Sequence, residues 1–126
     1  MMYYTVKQVK ERTGISPYTL RYYEKEGVLP QVERDANGVR LYREINIDWI
    51  NTVQALRSTG LSLEEIKHYT ELYLRGEETL QQRKKILTEQ RTKVEDHISH
   101  LIKILEKLNY KLALIEAQEN KFDKLP

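Results

Sequence analysis

The chain has 126 residues, 32% of them charged and 40% hydrophobic, with one Phe, one Trp and no Cys. Such a length accommodates one small domain plus an appended element, and the lack of thiols excludes disulfide frameworks, thiolate metal sites and cysteine nucleophiles. No apolar run approaches the ~18 residues that cross a bilayer, and the opening MMYYTVKQVK has no signal-peptide shape, so the expectation is a cytoplasmic protein. Net charge is only +2. Residues 1–43 carry eight basic and five acidic side chains, a net +3, against −1 for the remainder. This slight bias toward a polyanion partner has to be supported by geometry, because bulk charge is too small to carry it.

In chain order, Thr5-x-x-Gln8 has the form of a capping box that opens a first helix, and Gly14 closes it. Ser16 followed by Pro17 is an N-cap with proline at the first helical position. The second helix then runs to about Glu26, with Gly27 as its stop. Two helices separated by about three residues that include a glycine form a helix-turn-helix. Within TLRYYEKEGVLP, Leu20 and Tyr23 share the inward side, with Glu24, four on from Leu20, at its edge. Pro17, Tyr18 and Thr19 form the leading turn, and Tyr18, Arg21, Tyr22 and Lys25 face outward. That distribution suits a recognition helix: Tyr18 and Arg21 reach bases or backbone, and Tyr22 donates to a phosphate. The plainer reading is an amphipathic helix with exposed tyrosines.

Asn37-Gly38, flanked by Val32 and by Val39-Arg40-Leu41-Tyr42, signals a β-hairpin wing. Arg40 and Tyr42 lie two apart and share a strand face. Both are candidate backbone contacts, although Tyr42 suits packing equally well. Thr5 is a helix cap first and a phosphate neighbour second, and Arg57 is either a backbone contact or a cation favoured by a helix C-terminus. A third helix is expected over 46–58 and a fourth from a Ser62-x-x-Glu65 capping box to about Arg75. Trp49, Tyr69 and Tyr73 could line an effector pocket, but core packing is the more common reason for such aromatics.

Thr79-x-x-Gln82 is expected to open the last and longest helix. Leu87, Val94, Ile98, Leu101, Leu105, Leu108, Leu112 and Ile115 fall on one seam of it. The heptad places Ile98, Leu105 and Leu112 at a, and Val94, Leu101, Leu108 and Ile115 at d. Lys84 and Arg91 occupy earlier a positions. From Leu80 to Ile115 the helix spans roughly 53 Å at about 1.5 Å per residue. A seam that long needs a partner, most simply a second copy of the chain. The expected division is 1–76 for the winged helix-turn-helix domain with two supporting helices, 77–118 for the coiled-coil helix, and 119–126 for a flexible tail. His97 and His100 sit on a solvated face without convergent ligands. No metal, cofactor or catalytic constellation is indicated, so an enzyme is not expected.

With TLRYYEKEGVLP, NGVRLY and LRSTGLSLEEI in this order, the chain resembles the MerR family of bacterial transcription regulators over about residues 3–115. The resemblance implies a mainly α fold: a winged helix-turn-helix followed by an antiparallel coiled-coil dimerisation helix. It also implies a homodimer that binds a palindrome in an over-long promoter spacer and distorts double-stranded DNA so that RNA polymerase engages both promoter elements. Similarity is greatest to the aldehyde- and electrophile-responsive branch, which senses through one cysteine; Ala55 stands at the aligned position. Thiol sensing and thiolate metal sensing therefore do not carry over, and the effector is left open. The contrasting reading is a coiled-coil interaction adaptor whose winged-helix head does not bind DNA.

Overall fold

The computed structural model describes residues 2–123. Its elements are α1 (Val6–Thr13), α2 (Pro17–Lys25), β1 (Glu33–Arg34), β2 (Arg40–Leu41), α3 (Glu44–Ser58), α4 (Leu63–Leu74), a short 3-10 turn (Glu77–Thr79) and α5 (Leu80–Asp123). The helix starts follow from local chemistry. Thr5 Oγ1 accepts from the Gln8 amide at 3.2 Å, and Gln8 Oε1 accepts from the Thr5 amide at 2.8 Å, which satisfies two otherwise orphaned donors of α1. Ser16 caps α2 through the Thr19 amide, with Pro17 just inside. Ser62 and Glu65 cap α4 reciprocally. Helix α1 ends on Gly14, whose φ of 76° is the left-handed conformation that a side chain resists.

The described residues divide into two units, 2–88 and 89–123, with the boundary within α5. In the first, α1, α2, α3 and α4 enclose a core of Val9, Leu20, Val28, Ile47, Ile50, Val53 and Ile66, with Tyr42 and Leu61 among them. Two polar ties cross the core. The buried Thr70 hydroxyl donates to the Val28 carbonyl at 2.6 Å, joining α4 to the turn after α2. Gln54 Nε2 donates to the Thr13 carbonyl at 3.0 Å, joining α3 to the end of α1. The first removes a buried hydroxyl from the unsatisfied state, and the second pairs a half-buried amide.

The wing is small. Strands β1 and β2 are antiparallel, with Glu33 opposite Leu41 and Arg34 opposite Arg40. Tyr4 extends this ladder by an isolated bridge to Tyr42, its amide donating to the Tyr42 carbonyl at 2.7 Å. The connecting loop is longer than the Asn37-Gly38 pair alone suggests. Asp35 organises it, its Oδ1 accepting from the Asn37 amide at 2.8 Å and the Val39 amide at 2.9 Å. Gly38 takes a positive φ while Asn37 does not, so this is not the two-residue turn that needs both residues left-handed.

The start of α5 also differs from expectation. Thr79 does not open the helix as an N-cap. It is buried in the preceding 3-10 turn, and its hydroxyl donates to the carbonyls of Leu72 and Gly76. Arg83 Nε donates back to Thr79 Oγ1 at 3.0 Å, and its guanidinium lies over the Tyr73 ring. These ties fasten the start of α5 to the end of α4 within the first unit. At the other end, helix continues to Asp123, so residues 119–123 are helical where a loose tail was expected. The rest of that tail, 124–126, lies outside the described residues.

In the second unit, Ile98, Leu101, Leu105, Leu108, Leu112 and Ile115 are 48–55% exposed. Ile102 and Ile104 widen the apolar row on either side. Arg91, at an a position, places Nε 3.9 Å from Glu95 Oε1 one turn on, which draws its charge off the seam. No helix among the described residues is long and apolar enough to cross a membrane.

Candidate nucleic-acid interface

Helix α2 carries the candidate recognition surface. Leu20 is fully buried and Tyr23 half-buried against the core, and this fixes the rotation of the helix. That rotation turns Tyr18 (73% exposed), Tyr22 (43% exposed), Arg21 and Lys25 outward. Pro17 and Thr19 are half-buried. The Thr19 hydroxyl accepts from the Ser16 hydroxyl at 3.0 Å, so part of its polar capacity serves the cap. Thr5 is exposed at the start of α1.

Arg21 and Arg40 together line two concavities. One, of about 450 Å³, lies among the Tyr3–Val6 segment, Arg21 and the wing residues Gly38 to Leu41. The other, of about 590 Å³, is lined by Arg21, Glu24, Lys25, Gln31, Val32, Arg34 and Arg40. Four cations thus surround one carboxylate between α2 and the wing. Such a basic groove beside an exposed helix is the electrostatic footprint of a nucleic-acid site.

Two sequence-predicted contacts change character. Tyr42 is 2% exposed and belongs to the core. Its ring lies in the core cluster with Leu20 of α2 and Ile47, Ile50 and Val53 of α3, and burial pushes its phenol above the ordinary value. That burial fits the packing alternative that the sequence left open for it. Arg40 is half-buried, and its Nε donates to Glu24 Oε1 at 2.7 Å. It is therefore an anchored arginine rather than a loose strand charge. Arg57 is exposed on α3, and its Nη1 donates to the Leu61 carbonyl at 3.3 Å, bracing the turn into α4. Trp49 packs edge-on to Tyr73 at 4.7 Å and against Tyr69 at 6.1 Å between ring centroids. The three rings pack on one another, and each is half-buried.

Sequence reasoning missed Glu24. Its carboxylate is only 9% exposed, and Oε2 accepts from the Val32 amide at 2.7 Å while Oε1 takes Arg40. Its place at the inner edge of α2 was legible; its partners, on a hairpin later in the chain, were not. A second network ties the N-terminal segment to α3. Arg12 Nη1 and the Tyr4 hydroxyl both donate to Glu44 Oε1, at 3.0 and 3.1 Å. The Arg12 bond is the main reason the Glu44 carboxyl is held below its ordinary value. No group of three His, Asp or Glu among the described residues is placed to hold a metal.

The chain matches the MerR HTH family regulatory proteins over residues 4–72 and the MerR DNA-binding family over residues 47–111. The chain belongs to the MerR family. This MerR protein is 39% identical over 115 residues to an uncharacterised HTH-type transcriptional regulator of Haemophilus influenzae, across 91% of this chain and 85% of that protein. It is 39% identical over 89 residues to the HTH-type transcriptional regulator AdhR of Bacillus subtilis, across 71% of this chain and 64% of that one. Among solved structures it is similar to HiNmlR, a MerR family regulator lacking the sensor domain and bound to promoter DNA. That match has 38% identity, a TM-score of 0.85 and 94% coverage of each chain. A MerR regulator from Listeria monocytogenes matches at 34% identity and the same TM-score, over 95% of each chain. This MerR chain is a DNA-binding transcription regulator and not an enzyme. The adaptor reading finds no support among these relatives.

Proposed function

We propose that the chain acts in the bacterial cytoplasm as a homodimer that binds a dyad-symmetric site within a promoter spacer. The observation that carries this reading is the exposed row of Tyr18, Arg21, Tyr22 and Lys25 on α2, adjacent to the wing and its basic groove. The leading turn of α2 enters the major groove, with Pro17 and Thr19 shaping its entry. Arg21 reads base edges, while Tyr22, Lys25, Arg40, Thr5 and Arg57 serve the phosphates. HiNmlR, bound to promoter DNA, supports that placement by similarity.

The dimer is joined by antiparallel pairing of α5. A contiguous apolar row that is half exposed on a single helix is a surface that requires a cover. The heptad spacing of Val94, Ile98, Leu101, Leu105, Leu108, Leu112 and Ile115 fits another copy of the same helix. Two heads held apart by such a coil reach two half-sites. Distortion of the DNA between them is the means by which RNA polymerase is affected, indirectly. The chain contains no Cys, so any effector acts without a thiol.

Substitution separates the two kinds of contact. Arg21→Ala costs ~1–3 kcal/mol of binding and relaxes sequence preference, whereas Arg40→Ala weakens all sequences alike. Binding isotherms on the selected site and on a scrambled duplex measure both. Equal losses on both duplexes for both variants contradict the assignment.

A further inference from the structure

We propose that Glu24 is a positioning residue of the DNA-binding face, one that fixes the angle of the wing to the recognition helix and the aim of Arg40. The proposal rests on the reading of Arg40 as a DNA contact.

The wing has little to hold it in place by itself. Each strand is two residues long, and an isolated hairpin of that size is unstable in water. Glu24 joins it to α2 from three directions. Oε2 accepts from the Val32 amide at 2.7 Å, just before β1. Oε1 accepts from Arg40 Nε at 2.7 Å, on β2. Arg34 Nη2, on β1, lies 3.9 Å from the same oxygen. Both edges of the hairpin thus converge on one carboxylate near the end of α2. That carboxylate is 9% exposed, so water competes weakly for it.

The Arg40 bond has a second consequence. It engages Nε, one of five donors on a planar group, and so fixes the plane in which the remaining donors lie. A free arginine on a two-residue strand would sample many rotamers and lose that freedom on binding. Glu24 removes the freedom beforehand.

Simple electrostatics predicts the opposite effect for this residue. Glu24 is an acid surrounded by Arg21, Lys25, Arg34 and Arg40 on the groove offered to DNA. If it acted only through its charge, neutralising it would raise the positive potential and tighten binding to any duplex. If it positions the wing, neutralising it weakens specific binding although the site becomes more basic. The two accounts differ in sign.

The test uses the full chain as Glu24→Gln, Arg40→Gln and the double variant. Glutamine is isosteric, and its carbonyl still accepts from the Val32 amide while its amino group faces Arg40. The probes are the duplex enriched by the wild-type protein from genomic fragments and a scrambled duplex of equal length. The expected result for E24Q is a roughly tenfold weaker Kd on the enriched duplex and a loss of the same direction on the scrambled duplex, because Arg40 serves the phosphates of both. In the double variant the losses are less than additive, because Glu24 acts through Arg40. Thermal melts report whether each variant keeps its fold, and Glu24→Asp, which keeps the charge on a shorter arm, gives an intermediate Kd. If E24Q binds both duplexes as tightly as wild type or tighter, the proposal is overturned while the contact role of Arg40 stands. If R40Q binds the enriched duplex as tightly as wild type, the contact reading falls first and the proposal with it.

Discussion

Tyr42 shows how a motif can leave a residue two tasks, contact and packing, between which only its burial distinguishes. Its spacing from Arg40 places both on one face of β2, which was legible. Which way that face turns depends on the bridge to Tyr4 and the packing over α3, and neither is local. Tyr42→Ala is expected to destabilise the fold by ~3–5 kcal/mol, as for a buried aromatic, with Tyr42→Phe near neutral. Urea unfolding followed by circular dichroism checks this, and a stable Ala variant that is defective only on DNA would restore the contact role. Leu20 and Tyr23 fared differently, because their inward direction follows from helical spacing alone. Glu44 supplies a pH prediction. Its carboxyl is held below the ordinary value, first by the hydrogen bond from Arg12. A depressed carboxyl contributes stability that is present above the unfolded pKa and lost as pH falls through the folded one. Glu44 and Arg12 lie at the surface, so the effect is small. The urea midpoint of wild type should exceed that of Glu44→Gln at pH 7, and the gap should close below about pH 4. An equal gap at pH 7 and pH 3 would assign the difference to something other than that ionisation.

At the scale of elements, the helices were the most readable part of the chain. The capping pairs Thr5–Gln8 and Ser62–Glu65 and the Ser16-Pro17 step form in the structure as their chemistry demands. Thr79 matches a capping box by sequence, yet its hydroxyl is drawn back to Leu72 by the tight turn after α4, a bond seven residues back that outweighs the local signal. The Asn37-Gly38 hairpin forms as expected, with Asp35 completing its loop from outside that pair. Helix α5 carries the clearest prediction at this scale. Leu105→Lys with Leu108→Lys places charge in the middle of the exposed seam. If a second copy covers the seam as proposed, charging these two leucines should weaken self-association by at least roughly 100-fold while leaving helix content high in the first unit. Sedimentation equilibrium measures the first and circular dichroism the second. A variant as strongly dimeric as wild type would mean that the seam is not the interface.

At the scale of the whole molecule, a net charge of +2 is a weak recommendation for a DNA-binding protein. The structure concentrates the useful part of that charge, setting Arg21, Lys25, Arg34 and Arg40 around one groove. The proposed dimer would double that groove and add to the few phosphate contacts that each head alone offers. The effector is the part of the function that the sequence does not spell out. Ala55 stands where a sensor cysteine would align and is exposed, and no residue type at that place names a ligand. The most direct test of the account is selection of genomic fragments by the purified protein at about 150 mM salt, where purely electrostatic binding is suppressed. The account predicts recovery of a dyad-symmetric site inside a lengthened promoter spacer. Recovery of fragments without shared sequence, or of none, would contradict it.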